Sequence, residues 1–128
     1  MNSENREQLR PIWRARAENA AAYQYLLNLY PGKFRESLRR LYEGELETVA
    51  CLRGLAQLAG EPVGKLRFPP APRESMGRLL HRAFHATAGV EEACRTRAGE
   101  PETGKVYAQL AGQAGERCLV ICQILGRL

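Results

Sequence analysis

Glu45 occupies the position in this chain that most needs a chemical reason. Between Phe34 and Ala59 the sequence carries its longest unbroken helical pattern. At about 100° per residue, Phe34, Leu38, Leu41, Val49, Leu52, Leu55 and Ala56 fall on one face, with Glu45 near the middle of it. An ionised carboxylate inside a helix bundle is costly unless an arginine, a metal or a hydrogen-bond network compensates it. Two arginines are placed to do so: Arg16, in the stripe of Leu9 and Trp13, and Arg117, at the edge of the last helix's apolar face. The expectation is an ionised Glu45 held by an arginine, Arg117 ahead of Arg16. A guanidinium supplies a fixed positive charge and a fork of donors where a cation would otherwise sit.

Other side chains with chemical capacity are less well placed. His81 and His85 lie one helical turn apart, with Glu92 near the same face, which is a chelating pattern. They point away from their helix's apolar stripe, so solvent exposure or a subunit contact is the expected role. Cys118 and Cys122 are also one turn apart, but no C-x-x-C pair occurs, and Cys51 lies off its helix's core face. The four cysteines therefore read as reduced thiols packed as small apolar groups. No nucleophile with a paired base, no phosphate-cradling glycine loop and no Glu-x-x-His supports an enzyme class.

The elements that must position these groups are helices. A polar arm, Met1 to Arg10, with room for a short helical turn after Ser3, precedes a first helix from Pro11 to about Tyr30, where Pro31 and Gly32 end it. The second helix folds back as an antiparallel hairpin partner and stops before Gly60, a natural left-handed cap. From Gly60 to Arg73 four prolines favour an extended run. A helix of about 26 residues is about 39 Å long, and about 14 extended residues reach roughly 46 Å. The linker can therefore travel the whole bundle and set helix three parallel to helix two. Helix three runs from about Glu74 to Ala98, with Met76, Leu80, Ala83, Phe84, Thr87 and Cys94 on one face, Glu91 within it and Gly99 as a cap. Helix four starts near Pro101 or Thr103, with Tyr107, Leu110, Ala114, Cys118, Ile121 and Leu125 facing in. No segment alternates with period two. The prediction is one all-α domain over residues 1–128: four helices with a long crossover between the second and third.

That pattern resembles the ferritin-like superfamily, including its rubrerythrin and bacterioferritin branches. In it, one Glu from each of two helices and Glu-x-x-His from the other two hold two irons. Glu18 and Tyr25, in Glu-Asn-Ala-Ala-Ala-Tyr-Gln-Tyr, resemble the first-helix ligand and the tyrosine seven positions on. Glu45 resembles the glutamate of a Glu-x-x-His pair, with Thr48 in the histidine's place. On helix three either Val90 or Glu91 takes the ligand position. On helix four Ala114 and Arg117 stand in the two ligand places. At most Glu18, Glu45 and Glu91 remain of six ligands. The resemblance thus implies an incomplete or vestigial diiron site, with Tyr25, Thr48, Arg16 and Arg117 around it. The function it implies is a binding or assembly module, and the alternative is a divergent metal-binding oxidoreductase using the remaining carboxylates. No cofactor is expected, with iron or another divalent metal as the alternative occupant.

The phase of the first helix offers a second view of Glu18. Leu9, Trp13, Ala20 and Leu27 form a stripe roughly opposite Glu18 and Tyr25, so if that stripe is the core face, Glu18 and Tyr25 lie outside it.

Composition sets the outer bounds. The 128 residues are 45% apolar and 26% charged, as in an ordinary globular domain. The net charge is +5, and only three of the 19 basic residues are lysines. The arginines are spread along the chain without an aromatic platform, which argues against a nucleic-acid partner. No run approaches the length of a membrane span, so the chain reads as cytoplasmic, with a homo-oligomer or an unidentified protein as its partner.

Overall fold

A computed structural model describes residues 3–30 and 32–128. Four helices, and no strand among the described residues, make an all-α bundle: α1 (Ser3–Leu29), α2 (Arg35–Leu58), α3 (Met76–Thr96) and α4 (Gly104–Leu125). The first helix begins earlier than its predicted start at Pro11. Most of the arm predicted for Met1 to Arg10 is helix, because its Glu, Gln, Arg and Leu residues favour that state. Met1, Asn2 and Pro31 lie outside the described residues.

The helix ends follow local chemistry. Gly60 caps α2 at φ 80°, and the amide of Glu61 bonds the carbonyl of Ala56 at 2.9 Å, the cross-turn bond of a left-handed cap. Ser75 caps α3 by accepting from the amide of Arg78 at 3.2 Å, which sets its start two residues after Glu74. Gly99 does not take the predicted capping role. The left-handed residue of the α3–α4 connection is Glu102, at φ 67°. Gly104 packs directly on the carbonyl oxygen of Ala98, where a Cβ would come within 2.3 Å, so that tight connection requires glycine.

Each helix has two neighbours. α1 packs on α2 and α3, and α4 packs on α3 and α2, leaving α2 diagonal to α3. Two apolar clusters show the direction of the chain. One joins Leu26 near the end of α1 to Leu38 and Leu41 early in α2, Leu79 and Leu80 early in α3, and Ile124 late in α4. The other joins Leu52 and Leu55 late in α2 to Cys94 late in α3 and Tyr107 and Leu110 early in α4. Since α2 and α3 both begin in the first cluster and end in the second, they run parallel. The segment between them travels the bundle's length. Val63 packs on the second cluster, Arg53 donates to the carbonyl of Gly64 at 2.6 Å, and Pro69, Pro70 and Pro72 lie against α1 and α3.

Each large aliphatic side chain sealed in these clusters contributes about 1.5 to 3 kcal/mol of hydrophobic stabilisation. Between the clusters lies a layer of different composition: Arg16, Asn19, Glu45, Thr48, Thr87 and Arg117 are all buried.

Candidate functional site

The polar layer is centred on Glu45, which is 0% exposed. Its Oε1 accepts from Arg16 Nη1 at 3.3 Å and from Asn19 Nδ2 at 3.4 Å. Arg117 Nε stands 3.7 Å from the same oxygen, close enough for ionic attraction and too far for a hydrogen bond. Arg16 rather than Arg117 is therefore the hydrogen-bonded partner. Both arginines come from helices that pack on α2, Arg16 from α1 and Arg117 from α4, and the Arg117 chain runs beside Gly44. A Cβ at Gly44 would lie 3.0 Å from Arg117 Cδ, so that glycine makes room for the second guanidinium.

The surrounding groups complete a mixed network. Arg16 Nη1 also donates to Thr87 Oγ1 at 3.4 Å. Thr48, which the ferritin resemblance sets in the place of a ligand histidine, turns its hydroxyl to the carbonyl of Gly44 at 2.8 Å and so bonds its own helix. Several buried atoms have no hydrogen-bond partner among the described residues: Glu45 Oε2, Tyr23 Oη, Arg16 Nε, and Arg117 Nε and Nη2. Two guanidiniums against one carboxylate leave the layer with an excess of positive charge when Glu45 is ionised.

Burial raises the Glu45 carboxyl above its ordinary range, and Arg16, then Arg117, then the Asn19 hydrogen bond oppose that rise. Burial, with a smaller contribution from the Glu45 charge, also pushes the Tyr23 hydroxyl well above the usual tyrosine range, so Tyr23 is a neutral phenol at the edge of the layer. It lies beside Thr87 without a hydrogen bond of ordinary geometry.

The residues that the ferritin resemblance assigns to a metal are not gathered. Glu18 is exposed, on the side of α1 away from the buried Ala20 and at the edge facing α3, and Tyr25 packs half-buried at the margin of the first apolar cluster. The stripe of Trp13 and Ala20 is the inward one, and Tyr23, three residues after Ala20, is the tyrosine of α1 that enters the interior. Glu91 is half-buried on the flank of α3, paired with Arg95 at 2.7 Å, with its carboxylate lying over Gly115. Val90 is the residue of that register that enters the core. Ala114 is buried among apolar side chains.

His81 and His85 are exposed with their rings 4.8 Å apart. Cys94 is buried, Cys51 and Cys118 are half-buried, and burial pushes all three thiols up, away from the thiolate form that binds metals. Among the described residues no three His, Cys, Asp or Glu side chains converge as a metal-binding group. This donor set does not fit a two-iron carboxylate centre: of Glu18, Glu45 and Glu91 only Glu45 is buried, and guanidiniums already face it.

Sequence reasoning missed Asn19, Tyr23 and Gly44. Tyr23 was findable, being seven residues after Arg16 on the same stripe, and Asn19 lies one turn after Arg16. Nothing in the sequence distinguishes Gly44 from the other glycines. No protein-family model, curated protein or solved structure matches the chain.

Proposed function

We propose that this chain is a ferritin-like bundle serving as a binding or assembly module, with a buried Arg16, Glu45 and Arg117 cluster in place of a two-iron centre. The observation that carries this reading is the approach of two guanidiniums to one oxygen of Glu45, at 3.3 and 3.7 Å. Two fixed positive charges supply the electrostatic compensation that a metal gives a buried carboxylate, without redox chemistry or open coordination positions. The order of the helices, with a lengthwise crossover joining parallel α2 and α3, supports the ferritin-like assignment.

A second reading, a divergent metal-binding oxidoreductase using the remaining carboxylates, draws on one observation. Glu45 Oε2 is buried with no hydrogen-bond partner among the described residues, as a displaced ligand oxygen would be.

Elemental analysis of protein purified without an affinity tag separates the two. The expected result is no stoichiometric iron. Two irons per chain, with an absorption spectrum that collapses in Glu45→Ala, would give the oxidoreductase reading precedence.

A further inference from the structure

We infer that the groove between α1 and α3, roofed by the proline crossover, is a binding site for a small organic cation: a primary amine carried on a single apolar ring. This rests on the binding-module reading above and names the ligand class that such a module takes.

The groove encloses about 270 Å³. Pockets for drug-sized ligands run from roughly 300 to 1,000 Å³, so this one suits a single ring with a short chain. Its walls explain the space. Ala15, Ala22 and Ala86 present methyl groups where longer side chains would fill the groove, and Leu79 gives it an apolar base. Pro69, Pro70 and Pro72 form the roof, and a rigid pyrrolidine surface has little conformational freedom to lose when a ring packs against it.

The polar groups select the charge. Asn19 lies at the inner wall, with Nδ2 committed to Glu45, and no described residue donates to its Oδ1, which leaves an acceptor. Glu18, one residue earlier, stands exposed at the mouth with no ion-pair partner among the described residues. Arg82 also lines the groove, but both oxygens of Glu74 hold its Nη2 at 2.9 and 2.8 Å, so its charge is already met. The open charge is negative and the open polar group within is an acceptor. Both call for a ligand that carries positive charge and donates hydrogen bonds, and Arg16 does not line the groove.

Calorimetric titration of the full chain with phenethylamine tests this, with hydrocinnamate as the anion of similar shape and phenethyl alcohol as the neutral one. The amine should bind more tightly than either. Glu18→Gln should weaken amine binding about threefold, the scale of an exposed ion pair, and leave the alcohol unchanged. Ala86→Leu, verified as folded by its melting transition, should weaken all binding about tenfold or more by filling the groove. Absence of amine binding, hydrocinnamate binding as tightly as the amine, indifference to Glu18→Gln, or full binding by Ala86→Leu would each overturn the assignment. Iron analysis keeps the two readings apart. Amine binding by an iron-containing protein sinks the metal-free module and spares the groove; an iron-free protein that ignores the amine does the reverse.

Discussion

Glu45 receives both of its hydrogen bonds on one oxygen, and both arginines face that oxygen, so its partners are strongly coupled. Breaking a buried pair from one side leaves an uncompensated charge and typically costs about 3 to 5 kcal/mol. Arg16→Met, which leaves the Glu45 charge with Arg117 alone, should destabilise on that scale in denaturant unfolding, while adding Glu45→Gln to it should recover much of the loss. Additive losses would show that the pair does not interact. Arg117→Met should cost less, since its Nε is 3.7 Å away and makes no hydrogen bond. Much of this site was legible from residue types, because a charge on an apolar helical face demands a partner and two arginines shared the interior phase. The choice between them was not legible. It depends on how each guanidinium chain lies against α2, with Arg117 beside Gly44, which helical periodicity does not contain.

At the scale of elements, periodicity and punctuation carried most of the fold. The prolines between Gly60 and Arg73 marked an extended run, and its reach compared with the length of α2 implied that α2 and α3 are parallel, which the two apolar clusters show. The capping glycines divide differently. Gly60 was readable because it follows a long apolar period and opens a proline-rich run. Gly99 looked equivalent, yet its φ is not positive and nothing lies within 4 Å of a Cβ placed there. The constraint in that connection falls on Gly104, whose approach to Ala98 is a tertiary fact invisible in the sequence. Gly104→Ala should therefore cost about 2 kcal/mol or more through displaced backbone, whereas Gly99→Ala should be close to neutral. Thermal unfolding of the two variants side by side checks this, and equal melting temperatures would mean that the connection tolerates the shift.

For the whole molecule, the buried polar layer predicts how stability follows pH. Burial raises the Glu45 carboxyl above its ordinary value of 4.5, against the pull of Arg16 first, Arg117 next and Asn19 last. An acid whose folded pKa exceeds its unfolded one binds its proton more tightly in the folded state. Its contribution to stability is complete below the unfolded pKa and is lost as pH rises through the folded pKa. The exposed ion pairs, Glu74 with Arg82 and Glu91 with Arg95, are not part of that layer, so Glu45 has to be isolated by difference. Unfolding free energy of the native chain minus that of Glu45→Gln, measured across mildly acidic to neutral pH, should fall as pH rises, because the amide variant cannot ionise. Arg16→Met removes the largest influence holding the carboxyl down, so the same decline should extend to higher pH in that variant. A difference curve that climbs with pH would mean that the two guanidiniums outweigh burial and hold the folded carboxyl below its unfolded value. The layer would then be a net-stabilising ion cluster instead of a charge that the apolar clusters on either side must offset.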